Sequence, residues 1–191
     1  MANVKFGLIN PRDKRYTMFP ILHTERLELR ELTSSDGQAL LDCFSNPEVL
    51  RHYGQQPLTS LVQVQQIIQN FANNFALKRG IKWGIALKDQ EGIIGTIGFQ
   101  EWSIVHRRAE ISYALVPEYW GKGYAQEAVK RAISYGFEEM DLLRIGAIVF
   151  KENEASNLLL QKIGFDQEGL LKKYMHQNNV PHDTYIYSLI K

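Results

Sequence analysis

The stretch from Glu110 to Ala125, EISYALVPEYWGKGYA, most constrains what this chain can fold into. It begins as an apolar strand, turns at Pro117 and passes through two glycines into a helix. The helix is predicted over residues 121–140, because apolar residues recur at steps of three and four: Ala125, Ala128, Val129, Ala132, Ile133, Gly136, Phe137 and Met140. This junction predicts a site for an anionic ligand at the start of the helix.

The two glycines of the loop favour phosphate binding. Gly121 and Gly123 have no side chains to keep a ligand off the backbone, and the first amides of a helix lack intrahelical partners. A nucleotidase-type loop would need four residues between its glycines and a following Lys-Ser/Thr pair. A dinucleotide-binding loop would need a third glycine where Gln126 stands. The remaining alternative is that the glycines only open a helix packed tightly on a sheet.

Composition narrows the class of protein. The chain has 191 residues and a formal charge of +1 without blocks of like charge, which indicates one domain and argues against nucleic acid as a partner. It has no apolar run of membrane-spanning length and no signal-peptide pattern. Its single cysteine, Cys43, is predicted to be a buried hydrophobe, and a cytoplasmic protein is expected. The five histidines lack metal-ligand spacing, so no metal is predicted.

The order of elements along the chain predicts a mixed α/β domain. Residues 1–20 are interpreted as an N-terminal arm, and residues 21–191 as the domain. Periodicity and turn residues give the order βααβββαβαββ. Its segments are 26–32, 34–44, 59–80, 83–87, 93–99, 108–116, 121–140, 143–150, 153–163, 165–174 and 183–190. The strand before the glycine loop and the strand at 143–150 should be parallel, because a helix joins them.

This order, with RAEISYALVPEYWGKGYAQEA and NEASNLLLQKIGF, resembles the GNAT superfamily of N-acetyltransferases over residues 22–191. The opening TERLELREL and the loop WGKGYAQEA are similar to the ribosomal-protein N-terminal acetyltransferase branch, the Rim type. The resemblance implies a single GNAT domain whose twisted, mostly antiparallel sheet of about seven strands is flanked by about four helices. It also implies acetyl-CoA as cosubstrate. Trp120 departs from the superfamily's loop pattern, which has Arg or Gln there.

The resemblance assigns cofactor contacts along two segments. The backbone of Leu115 and Val116 would pair with the pantetheine arm. The loop would hold the phosphates through Gly121, Lys122, Gly123, Tyr124 and Ala125. Asn153 and Ser156 of the NxxS stretch would bind the cofactor near the pantetheine. The alternative for Asn153 is a helix N-cap.

Two side chains are candidates for proton transfer. Glu110 shares a strand face with Ser112 and Ala114, where a carboxylate beside small side chains suits a general base for the acceptor amine. The alternative is a surface ion pair with Arg107 or Arg108. The resemblance to the Rim-type branch implies that Ser156 donates a proton to the departing thiolate, and the alternative is a local hydrogen bond at the start of its helix. The Tyr that many members of the superfamily carry as general acid is Leu160 here. Met175 stands where some Rim-type enzymes have a Glu.

The resemblance therefore implies acetyl transfer to a primary amine, by direct attack within a ternary complex. The acceptor is expected to be a protein N-terminal α-amine. Small amines such as an aminoglycoside, a polyamine or an amino acid remain an alternative, as does a non-catalytic acyl-CoA binder. The superfamily commonly forms dimers, but no surface strip in the sequence identifies a homodimer interface.

Overall fold

The computed structural model describes residues 18–191, and the predicted N-terminal arm lies largely outside them, as residues 1–17. The described part contains one sheet of eight strands, in the order β1-β2-β3-β4-β5-β6-β8-β7. All neighbours pair antiparallel except β5 and β6. The strands are β1 Leu22–His23, β2 Leu27–Glu31, β3 Ile81–Leu87, β4 Gly95–Ser103, β5 Arg108–Leu115, β6 Arg144–Phe150, β7 Asp166–Gln177 and β8 Val180–Ile190.

The described residues form five α-helices, which pack on both faces of the sheet. They are α1 Gly37–Ser45, α2 Pro47–Leu50, α3 Leu61–Ala76, α4 Tyr124–Glu138 and α5 Glu154–Ile163. One apolar core joins α4 and α5 to the strand face that carries Trp83, Ile97 and Ile111. A second core joins α1, α2 and α3 to the opposite face, where Ala114 lies. The sheet is therefore held between two separately packed layers.

The predicted fold class is confirmed: the chain forms a single mixed domain with a mostly antiparallel sheet. Two short elements were not predicted. Strand β1 has only two residues and α2 only four, and segments of that length show no periodicity. Helix α2 could have been predicted from residue types alone, because the Asn46 side chain caps it and Pro47 occupies its first turn.

The parallel pair β5 and β6 separates partway along its length. Their register runs through Arg108 with Arg144, Ala109 with Ile145 and Glu110 with Gly146, and stops there. Strand β5 continues to Leu115 on the β4 side, while β6 stays paired with β8 up to Phe150. The sheet is thus split between the two strands, and backbone groups of β5 beyond Glu110 face the opening. This split positions the site.

Candidate active site

A cleft of about 1280 Å³ opens where β5 and β6 separate. Most of the predicted site residues line it: Glu110, Leu115, Gly121, Gly123, Tyr124, Ala125, Asn153 and Ser156. The predicted residues Val116 and Lys122 do not. Val116 packs against the core on the α1–α3 side, and the Lys122 ammonium lies 5.4 Å from the centre of the Tyr119 ring. The fold therefore brings together candidates that the sequence placed on β5, the glycine loop and α5.

The glycine loop needs glycine for its backbone conformation. Gly121 has φ 71° and Gly123, the N-cap of α4, has φ 81°, a region that costs other residues roughly 1–2 kcal/mol. A Cβ atom on Gly121 would meet no atom within 4 Å, so the space above it is open. Helix α4 begins at Tyr124, three residues after the predicted start. Its first amides consequently point into the cleft, where an anion can accept from them.

Two residues from the start of the domain hold this loop in place. Arg26 Nε donates to Glu127 Oε2 at 2.7 Å, and Arg26 Nη1 donates to the Lys122 carbonyl at 3.0 Å. Thr24 Oγ1 donates to Glu127 Oε1 at 2.6 Å. Burial alone would raise the pKa of Glu127, but the hydrogen bonds from Thr24 and Arg26 outweigh burial and lower it. The carboxylate next to the glycine loop is thus ionised but paired.

Replacing Arg26 by Ala is expected to weaken acetyl-CoA binding about tenfold. The change frees the Lys122 carbonyl and leaves the Glu127 carboxylate without its positive partner beside the predicted phosphate position. Isothermal titration of wild type, Arg26→Ala and the double variant Arg26→Ala/Glu127→Gln measures the effect. The double variant should regain part of the affinity, since it lacks the unpaired carboxylate. An unchanged Kd in Arg26→Ala would show that the loop needs no such support.

At the open edge of β5, the backbone of Leu115 has an occupied carbonyl and an amide that faces the split. The Val116 amide donates to the Ile94 carbonyl at 3.0 Å, and the Val116 carbonyl accepts from Tyr119 at 3.1 Å. Because antiparallel pairs alternate, the backbone groups of Leu115 face away from β4, into the split. Trp120 Nε1 donates to the Leu115 carbonyl at 2.7 Å. The Leu115 amide is therefore a backbone group that this edge offers to a ligand.

Glu110 is the last residue of β5 that pairs with β6 before the split. It is partly buried and lines the cleft. A Cβ on its partner Gly146 would lie 3.5 Å from Glu110 Cγ, so the carboxylate passes over a position without a side chain. Arg107 pairs with Asp141 instead. None of the ion pairs among residues 18–191 includes Glu110, so the surface ion pair considered from sequence does not form.

A capping Asn and a Ser at the start of α5 line the cleft, and the hydroxyl group of Tyr113 on β5 lies beside the Ser. Asn153 Oδ1 accepts from the Ser156 amide at 3.2 Å, which is the N-cap role. Its side-chain amide NH₂ remains a donor for a ligand. The Tyr113 hydroxyl is buried close to Ser156 but has no hydrogen bond of ordinary geometry among the described residues. Burial raises the pKa of Tyr113 to about 12, an effect that Ser156 partly offsets. Sequence reasoning did not identify Tyr113.

The one cysteine is unsuited to nucleophilic catalysis. Cys43 is buried in the α1–α3 core, and burial raises the pKa of its thiol to about 12. A thiol of that kind is protonated near neutral pH and inert.

Within residues 18–191 no group of three or more His, Cys, Asp or Glu side chains is placed to bind a metal. No helix in that range is both long and apolar enough to cross a membrane.

Comparison with known proteins decides the family. The model of the GNAT acetyltransferase domain matches residues 26–166. The chain belongs to the GNAT acetyltransferase family. The uncharacterized N-acetyltransferase YoaA of Bacillus subtilis strain 168 is 51% identical over 174 residues, covering 91% of this chain and 98% of that protein. This GNAT chain is therefore an acetyl-CoA-dependent N-acetyltransferase, and its glycine loop and split strands lie in the matched region.

Two further relatives carry names that differ in the acceptor. Spermidine N(1)-acetyltransferase of Escherichia coli strain K12 is 30% identical over 151 residues, covering 79% of this GNAT chain and 77% of that enzyme. The solved structure of RimL, a ribosomal alpha-N-protein acetyltransferase, in complex with coenzyme A has a TM-score of 0.81 at 22% identity. It covers 90% of this chain and 98% of its own. The likeness to RimL shows the shared fold.

Proposed function

We propose that this GNAT protein transfers the acetyl group of acetyl-CoA to a protein N-terminal α-amine, by direct attack within a ternary complex. The observation that carries the proposal is the split between β5 and β6. It joins the phosphate-binding loop on one side to a cavity bordered by α1, α2 and α3 on the other. A thioester held in the split is open to an amine from the second side.

The cofactor binds along the residues that line the split. The amides of the turn at Gly121, Gly123, Tyr124 and Ala125 donate to the phosphates, and Lys122 adds positive charge nearby. The Leu115 amide pairs with the pantetheine arm, beside Val116, and Asn153 donates its side-chain NH₂ from the other wall. Binding of coenzyme A by RimL, which has the same fold, supports this arrangement.

Glu110 and two hydroxyl groups carry out the proton transfers. Glu110 accepts the proton of the acceptor ammonium, directly or through a water, and the neutral amine attacks the thioester carbonyl. Backbone amides of β5 along the split stabilise the oxyanion. Collapse of the tetrahedral intermediate breaks the carbon–sulfur bond, Ser156 donates a proton to the departing thiolate, and the nitrogen releases its second proton to solvent, which leaves a neutral amide and a thiol. The buried Tyr113 hydroxyl beside Ser156 returns a proton to the serine and is itself reprotonated from solvent.

A protein acceptor and a polyamine acceptor are separated by a panel of amines. We expect peptides with a free α-amine to gain one acetyl group, and the same peptides with a blocked α-amine to gain none. Mass spectrometry after incubation with acetyl-CoA measures both. Acetylation of spermidine, with no peptide acetylated, would instead assign this chain to the small-amine acceptors, the alternative that the spermidine N(1)-acetyltransferase relative supports.

A further inference from the structure

Lys82 places a positive charge on the acceptor side of the cleft. It lies on β3, opposite Gly98 of β4, which in turn lies opposite Ser112 of β5. Because Gly98 has no side chain, Lys82 reaches across β4, and its Nζ donates to Ser112 Oγ at 2.7 Å. Lys82, Ser112 and Gln100 all line the cleft. The fold thus carries a lysine head group from a neighbouring strand to the strand that bears Glu110.

This ammonium group has no negative partner in the described part of the chain. None of the ion pairs among residues 18–191 involves Lys82. Its surroundings are the Ser112 hydroxyl and the Phe71 ring, whose centre is 5.9 Å from Nζ. Burial lowers the pKa of Lys82 to about 8. A lysine that is partly removed from water without a counter-charge is costly, and a bound anion would offset that cost.

Two further groups complete a site for a carboxylate. The Ser112 hydroxyl accepts from Lys82 and donates to Gln100 Oε1 at 3.4 Å, so it positions both side chains and leaves the NH₂ end of Gln100 as a donor. Lys82 keeps two more N–H donors beyond its bond to Ser112. Charge-assisted hydrogen bonds from ammonium and amide groups are what a carboxylate accepts best. Spermidine, a polycation, would meet repulsion at the same place.

The position of Glu110 relates this anion site to the reacting amine. Glu110 and Ser112 point to the same face of β5, two residues apart, which is about 7 Å along a strand. An acceptor can therefore present its amine at Glu110 and a negative group at Lys82 at the same time. In the acceptor, this distance between the amine and the negative group corresponds to a few covalent bonds.

We propose that Lys82, Gln100 and Ser112 form a carboxylate-binding subsite, so that the preferred acceptor carries a carboxylate a few bonds from its reacting amine. The inference rests on the proposed acetyl transfer and names its substrate class. The carboxylate belongs to an acidic residue next to a peptide's N-terminus or to a free amino acid. Lys82 is a specificity-determining residue, and Glu110 remains the base.

The test compares acceptors that differ only in one negative charge. Two peptides with Glu or Gln at the second position, and free glutamate against free glutamine, give the ratio of kcat/KM for the acceptor with a side-chain carboxylate over its neutral amide counterpart. Wild type should favour the charged member about tenfold or more, the effect of one charge-assisted hydrogen bond. Lys82→Met should remove the preference, mainly through KM. The peptide pair and the amino acid pair show which source of carboxylate the subsite takes.

Two control variants separate specific recognition from a loss of structure. Lys82→Arg keeps the charge and should keep the preference, and Lys130→Met removes an exposed lysine of α4 outside the cleft and should also keep it. Equal kcat/KM for charged and neutral acceptors in wild type, or a preference that survives in Lys82→Met, would overturn the inference.

A binding measurement tests the carboxylate subsite without requiring that acetyl transfer occurs. The N-acetylated Glu and Gln peptides, as products, are titrated into the protein saturated with coenzyme A. Tighter binding of the Glu peptide by wild type but not by Lys82→Met supports the subsite even where no acetyl transfer is seen. Transfer without any charge preference, in contrast, would contradict the subsite and leave the proposed acetyltransferase function standing.

Discussion

Replacing Gly123 by Asp is expected to raise the Kd for acetyl-CoA at least about a hundredfold. Gly123 has φ 81° at the N-cap of α4, a conformation that a side chain strains. The new side chain would begin 3.4 Å from Arg26 Nη2 and would place a carboxylate beside the amides proposed to bind the phosphates, where like charges repel. Isothermal titration of acetyl-CoA into wild type and variant measures the loss.

The chain offers a matched control for this substitution. Gly92 lies in the exposed turn between β3 and β4 with φ 83°, and a Cβ atom added there would meet no atom within 4 Å. Gly92→Asp therefore adds the same charge and the same backbone strain away from the cleft, and it should bind acetyl-CoA like wild type. Gly123→Ala separates strain from charge at the site itself. Wild-type affinity in Gly123→Asp would show that the phosphates bind elsewhere.

Replacing Glu110 by Gln is expected to lower kcat/KM about a hundredfold near neutral pH, within the range for loss of a general base. The loss should be greatest at low pH, because the acceptor amine is then protonated and depends on the base. It should shrink as the pH approaches the amine's own pKa, about 8 for an α-amine. Acetyl-CoA binding should change little, since Glu110 faces the acceptor side.

The pH profile distinguishes a base from a structural carboxylate. Glu91→Gln, an exposed change in the β3–β4 turn, is the control and should retain wild-type rates at every pH. A Glu110→Gln rate that stays near wild type, or falls equally at every pH, would remove Glu110 from proton transfer. The acceptor would then have to lose its proton to solvent before it binds.

The main elements of the fold follow from local patterns in the sequence. The stripe of α4, the alternation in β2 and the turn at Asn178 and Asn179 each specify their own structure, and both of these Asn residues have positive φ as a tight hairpin turn requires. Strand β1 and helix α2 were missed because they are too short for any periodicity. Helix α4 starts later than predicted, because Gly121 and Gly123 form the loop and its cap.

The residues of the candidate site also divide into those that a local motif predicts and those that only the folded structure brings together. Glu110 and the glycine loop were found because they lie within one continuous motif. Arg26 was missed because its partner Glu127 is about a hundred residues away, and pairing at that distance is set only by the folded chain. Lys82 was missed for the same reason, although a lysine bordering the apolar run WGIAL of β3 was a visible signal. Which neighbours surround it depends on the register with Gly98 and Ser112.

The most direct test of acetyl transfer follows a labelled acetyl group from acetyl-CoA. We predict that the label appears as an amide on the acceptor α-amine, with one coenzyme A thiol released for each amide formed and no label on the protein. Tight binding of acetyl-CoA with no acceptor labelled would contradict the account and indicate a binder without turnover. Label retained on the protein would contradict direct attack.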